Sequence, residues 1–360
     1  QAIQDIDHSV PLIGGRAVYV RVFMDLGGPG PNDDSVSVGG MLEVAKANGD
    51  TKSYTSDFAA YDPRVRGAQN GNLEARRNDP LSGIVFRLPP EDVKLGEYTI
   101  SLLTVTDRDG ARQLECTSCA QVSRTIKIVE PAPPLRLSVI GISYKINAKT
   151  FEPRPVDFAM IPSWIKRAYP ISDMVYETRV LPFPDPNARP EAGLDCRAVN
   201  TFLAQVRAND IAGGADPRTR YYGLVYEGDA GQSQHFMRGC AVSIPNVPDP
   251  SATASGPAGS SKWGWDDSGS YAGWYTAHEV GHTLGRRHVG GTCNETGIDR
   301  AFPFPNGRIS QDSATFIGFD PGDTVEGKTL GPMVIPGRQA GERIGHDVMS
   351  YCKWQWVSTY

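Results

Sequence analysis

No run in these 360 residues is apolar over the 18 or so positions that a bilayer-crossing helix needs, which excludes a membrane-spanning helix. The first ten residues also lack a cationic start followed by an apolar stretch, so they do not read as an export signal; any such signal is expected to have been removed already. An excess of cations is missing too. Lys and Arg total 36 against 41 Asp and Glu, a net charge of −5 that offers no basic footprint for nucleic acid or an anionic membrane. Extreme bias is absent, with 39% apolar and 21% charged residues, which argues against wholesale disorder and fibrous repeats. No GxSxG occurs, so a serine-hydrolase elbow has no foothold.

What the chain does hold is length for two domains, and 39 Gly and 28 Pro that predict many turns. Its six cysteines are widely spaced, which points to an oxidising compartment and so to secretion or the cell surface. Cys116 and Cys119 have CxxC spacing but no second CxxC or CxxH nearby, which favours a local disulfide or two free thiols over a metal knuckle.

The first third reads as β, with runs at Ala17 to Met24, Ser35 to Val44, Gly83 to Leu88, Tyr98 to Thr106 and Val122 to Val129. Turn chemistry such as Asn48-Gly49-Asp50 and Asp109-Gly110 separates them, suggesting an antiparallel, broadly immunoglobulin-like sandwich over residues 1–130. Three prolines among Val129 to Pro134 make a stiff spacer, placing a linker at 131–136 and a second domain at 137–360. That domain alternates strands and helices, an α+β or α/β order: strand Leu135 to Ile146, helix Val156 to Tyr169, strand Met174 to Leu181, helix Cys196 to Ile211, strands Tyr221 to Tyr226 and Cys240 to Ile244. A Gly/Ser/Pro-rich loop, Pro248 to Ser261, is expected to lead to a third helix beginning near Tyr271.

That third helix carries the chemistry. His278 and His282 lie four apart and so share one helix face, where both imidazoles can reach one tetrahedral Zn²⁺. Gly285 can end the helix at positive φ and let the chain return with His288 as a third ligand. Three neutral nitrogens leave the fourth position open, and Glu279, beside the first ligand, is free to act as general base. Chance assembly of these five positions is on the order of 10⁻⁵ per chain of this composition, and half of the six histidines fall within eleven residues. Chance is therefore not a serious competitor.

His278-Glu-Val-Gly-His282-Thr-Leu-Gly285-Arg-Arg-His288 resembles the HExxHxxGxxH signature of the metzincin zinc endopeptidases at every fixed position. The resemblance implies a mixed twisted sheet with helices and the zinc on the active-site helix; the β-rich first third lies outside it. It also implies a downstream turn with a methionine below the metal, for which Met349 in Asp347-Val-Met-Ser-Tyr351 is the candidate. Tyr351 would reach the metal or the transition-state oxyanion, as in the astacin, serralysin and pappalysin pattern. Gly-Gly-Thr-Cys293 after His288 is similar to the pappalysins, whereas Val289 and the absence of an acidic pair after the methionine turn depart from them. Only these two segments carry the resemblance by residue identity.

The same resemblance implies a Cys293 to Cys352 bridge, with Cys196 to Cys240 and Cys116 to Cys119 as the accompanying pairs. A protein or peptide substrate would pair with an edge strand before the active helix, here Ala241, Val242 and Ser243 within Gly239 to Pro245. The side-chain pocket would draw on Trp354 or Trp356 unless these are core. The other reading is a surface adhesion or glycan- or protein-binding module with a structural or inactive zinc site, its cell-surface partner held by the N-terminal domain.

Three further kinds of motif are set aside. Gly322 to Thr329 matches GxxxxGK[ST], yet the following Leu-Gly-Pro332 and Ile-Pro336-Gly cannot form the required helix. Asp107-Arg-Asp109 and Asp320-Pro-Gly-Asp323 could offer oxygens to Ca²⁺, but neither completes a calcium loop. Asn294-Glu-Thr296 is a glycosylation sequon, read as an unmodified surface turn.

Overall fold

A computed structural model describes the chain except residues 1, 29–33, 57–61, 120–121, 186–187, 189–193, 229–235, 261–268, 313–314 and 337–343. It is a mixed α+β structure with more strand than helix, 36% against 18%. The period-two runs of the first third form strands where the alternation predicts them. Leu12–Ile13, Ser123–Val129, Gly96–Asp107, Ser35–Lys46 and Thr51–Thr55 lie side by side in one sheet. Val18–Val22 pairs antiparallel with Ile84–Leu88 in a two-stranded layer. Leu42, Val44, Ile126 and Ile128 from the sheet share a core with Val18, Phe86 and Leu88 from that layer. A short helix, α1 (Leu73–Asn78), was not anticipated; Asn72 caps it by accepting the Ala75 N–H.

After the proline spacer comes a second sheet: β1 (Leu135–Ile146), β2 (Lys149–Phe151), β3 (Met174–Pro182), β4 (Arg220–Tyr226), β5 (Cys240–Ala241) and β6 (Ala254–Ala258). β3, β1, β4 and β6 run parallel in that order, and β5 closes one edge antiparallel to β6. Alternation along β1 sends Leu137 and Val139 to one face, under α2 (Pro155–Ala168) and α4 (Ala272–Thr283). Ile140 and Ile142 face the other way, toward Val199 and Leu203 of α3 (Cys196–Ala212). Pro162 inside α2 cannot donate to the Phe158 carbonyl, and the Tyr176 hydroxyl donates to it instead, at 2.7 Å.

Two sequence expectations need correction, and one left open is decided. The Pro248 to Ser261 loop contains β6, a fully buried interior strand; Ser261 itself lies outside the described residues. Its Ala-Ser-Gly-Pro-Ala composition hid it, yet small residues are what the site requires. A Cβ on Gly256 would lie 2.5 Å from the Tyr222 hydroxyl and 3.0 Å from the Tyr275 ring, so α4 can press onto the sheet only over glycine. The strand expected to reach Ile244 stops at Ala241, after which only the Val242 N–H continues the ladder, to the Thr253 carbonyl. Trp356 is core, buried edge-on to Trp164, with its indole N–H donated to the Ala2 carbonyl.

The first residues belong to the second body. Ile3–Gln4 pairs with Ile317–Asp320, and Ala2 and Ile3 join the core beneath α2 and α4. Arg16 donates to the carbonyls of Arg167 and Tyr169 at the end of α2, fastening the two bodies together. Gly322 to Thr329 is a hairpin, Asp323–Val325 against Lys328–Leu330, turning at Glu326 and Gly327 with positive φ. Asp320 is bonded to Arg167 in a buried ion pair. The tight crossing of α2 and α4 gives a stability test. A Cβ on Gly273 would meet the Met160 carbonyl oxygen and Trp164 Cβ, both at 2.7 Å, so Gly273→Ala is expected to cost about 1–3 kcal/mol in urea unfolding; an unchanged midpoint would contradict this packing.

Candidate metal centre

Every residue of α4 is buried, including His278, Glu279 and His282. Polar groups placed there need partners, and the backbone supplies them. His278 Nδ1 meets the Val348 carbonyl, His282 Nδ1 the Arg286 carbonyl and His288 Nδ1 the Thr296 carbonyl, each at 2.7 Å. A carbonyl only accepts, so each Nδ1 carries the proton and each Nε2 presents a lone pair. The three ligand nitrogens lie within 4.8 Å of one another, and His282 Nε2 is 3.1 Å from His288 Nε2. Tetrahedral zinc with Zn–N near 2.0–2.1 Å sets ligand nitrogens about 3.3 Å apart, so the spacing fits. Lone pairs that face each other without a proton between them call for a cation. Burial also holds His278 well below the usual imidazole range and takes His282 down to about 4, so both rings are neutral ligands near pH 7.

Helix geometry delivers the third ligand as the glycine predicts. α4 ends at Thr283, Gly285 takes φ +93°, and the Arg286 N–H returns to the Gly281 carbonyl. His288 then bridges to Ile298, and its carbonyl accepts the Asp299 N–H at 2.7 Å. Met349 lies under α4, where a Cβ on Gly281 would be 2.6 Å from its sulfur. The turn that holds it is built by Asp347, whose carboxylate accepts the Met349 N–H and whose carbonyl accepts that of Ser350.

Glu279 faces the same space. Burial pushes its carboxyl up to about 8, and Oε2 has no hydrogen-bond partner among the described residues. A positive ion nearby would favour the ionised form, which is a second sign that the residues fit a metal. The Tyr351 hydroxyl is 3.0 Å from His288 Nε2, with its ring 4.8 Å from that imidazole, half exposed at the rim. His278, Glu279 and Tyr351 line a cleft of about 510 Å³, together with Gly239, Trp274 and Asn294.

Of the proposed edge residues, Ala241 is the last strand position, Val242 is exposed, and Ser243 lies beyond the strand. Gly239, just before them, touches the site directly. A Cβ there would lie 2.4 Å from Glu279 Oε1, and its N–H donates to the Tyr275 hydroxyl at 2.9 Å. The cysteines pair as Cys293 with Cys352, Cys196 with Cys240 and Cys116 with Cys119.

Sequence reasoning missed Glu295. Read as part of a surface turn, it is buried, accepting the N–H groups of Cys293 and Tyr351 and so tying the loop after His288 to the rim tyrosine. Its only signal was an acidic residue two positions from a cysteine near the third ligand. Cys293 and Cys352 close to it are spent in the disulfide and do not form a second metal group.

No protein-family model, curated protein or solved structure matches this chain. The three histidines form a group able to hold a metal ion. Zn²⁺ at about 100 times its Kd is expected to stabilise the metal-free protein by about 2.7 kcal/mol, read as a shift in its urea midpoint. His278→Ala should abolish the shift; a wild-type midpoint indifferent to zinc would count against the site.

Proposed function

We propose that this chain is a secreted or cell-surface, metzincin-like zinc endopeptidase. The observation that carries the reading is the convergence of three imidazoles beside a buried carboxylate, with His278 and Glu279 lining an open cleft and Glu279 Oε2 without a partner among the described residues. His278, His282 and His288 would hold the ion. Zinc in such a three-nitrogen setting supplies Lewis acidity at its open position, polarising a carbonyl and making water acidic near neutral pH.

The chain's own residues then divide the work. Glu279 Oε2 takes the proton of the attacking water and passes it to the departing amine. Burial raises the affinity of this carboxyl for a proton while a bound cation would favour its ionised form, and the two opposed effects suit a group that must both accept and return a proton. Tyr351 presents a hydroxyl at the metal pole and can donate to the carbonyl oxygen as charge develops there. β5 is the free edge of its sheet, so an extended peptide can add to it beside the cleft. Three disulfides support the extracellular placement. A purely structural metal site would be closed by a fourth protein ligand, and the open face at Tyr351 disfavours that reading.

Glu279→Ala is expected to keep metal stoichiometry near one and lower casein or peptide cleavage by about 10²–10⁴-fold. Undiminished cleavage would remove the assignment. Tyr351→Phe should cut kcat by about 100-fold with little change in KM, as measured on a fluorogenic peptide; matching wild-type turnover would take Tyr351 out of the reaction.

A further inference from the structure

The three carbonyls that orient the imidazoles belong to Val348, Arg286 and Thr296, which sit on three separate stretches of chain. One short segment, residues 358–360, reaches all three stretches. Ser358 donates its hydroxyl (2.5 Å) and its N–H (3.2 Å) to Asp347, the neighbour of Val348. Tyr360 lays its ring against the Arg286 guanidinium, 5.2 Å from the ring centre, and its carbonyl accepts from the same group at 2.6 Å. The Tyr360 hydroxyl donates to Asp299 at 2.9 Å, three residues from Thr296, and Asp299 in turn donates its N–H to the carbonyl of His288. Arg286 also reaches Asp347 at 3.4 Å, which closes the circuit.

We infer that Ser358 and Tyr360 are positioning residues for the metal centre, a strap that holds the carbonyls behind all three imidazoles in one arrangement. The physical reason is that an imidazole rotates unless its distal nitrogen is held, and the holder is only as fixed as its own backbone. Val348 is braced by the Met349 turn and Thr296 by the Cys293 to Cys352 region, but Arg286 lies in the two-residue return between Gly285 and His288. Its N–H is held by the Gly281 carbonyl, and its side chain adds a second anchorage by gripping Tyr360 and Asp347. Neither Ser358 nor Tyr360 approaches the cleft, so their effect runs through the ligands rather than through substrate. Outer partners of this kind commonly alter metal affinity by about 10–100-fold when lost.

This inference rests on the metal site proposed above, and the test separates the two. Zinc affinity is measured by chelator competition, and the cobalt-substituted protein is followed by its visible absorption. The comparison is between wild type, Tyr360→Ala, Tyr360→Phe and Leu42→Ala, the last a core change in the remote N-terminal body that lowers thermal stability without touching the strap. The expected result is a zinc Kd weakened about 10–100-fold in Tyr360→Ala with an altered cobalt spectrum, and wild-type values in Leu42→Ala. Tyr360→Phe keeps the ring on Arg286 and loses only the bond to Asp299, so it should release zinc faster than wild type and slower than Tyr360→Ala. Should Tyr360→Ala not fold, Tyr360→Phe carries the test alone. Equal zinc release in wild type and Tyr360→Phe, or equal weakening in Tyr360→Ala and Leu42→Ala, would overturn the strap while leaving the metal site standing. A wild-type protein that takes up no zinc or cobalt would sink both.

Discussion

Three hydrogen bonds from imidazole Nδ1 to backbone carbonyl govern the rest of this structure. They fix which nitrogen faces the site and where it points, while burial keeps His278 and His282 neutral. A carbonyl is a rigid acceptor only if its peptide is held, and many of the odd features of the second body serve that end. Gly285 reverses the chain so that Arg286 can serve His282 from its own C-terminal side. Asp347 folds the turn that presents Val348. Glu295 and the Cys293 to Cys352 bridge hold the loop that presents Thr296 close to Tyr351.

Such an arrangement burdens the fold. A helix with all its residues buried normally carries apolar side chains throughout, yet α4 includes two histidines, a glutamate and two threonines. Of these, Thr283 is satisfied, donating to the Val280 carbonyl and accepting from Arg220. Glu279 is left with an oxygen that nothing in the described protein satisfies, and burial raises its affinity for a proton. Interior positions give way to match: Gly256, Gly273 and Gly281 let the sheet, α2 and Met349 approach α4 more closely than any side chain would permit.

Much of this was legible in the order of residues. Period-two runs located several strands of each body, though not Thr51–Thr55, Lys149–Phe151 or Ile317–Asp320, and the ranges expected for α2 and α3 agree with those found to within one residue at each end. His278, His282 and His288 meet where a four-residue step and a glycine break put them. The limits were physical. β6 is Ala-Ser-Gly-Pro-Ala, which carries neither hydrophobic period nor β-branched residues, because its sequence answers to the crowding of α4 and Tyr222 rather than to strand propensity. Glu295 reaches the Tyr351 N–H across 56 residues and Gly239 the Tyr275 hydroxyl across 36, contacts that no local pattern announces. Nor could periodicity reveal that Ile3 pairs with Gly318.

That last pairing changes what the two bodies are to each other. The earliest strand in the chain is a structural part of the later body, and Arg16 ends the helix on which the later core rests. The proline spacer therefore divides the chain in sequence without dividing it in space. Severing the chain at that spacer would strip Ile317–Asp320 of its partner Ile3–Gln4 and leave a gap in the later core where Ala2 and Ile3 now sit.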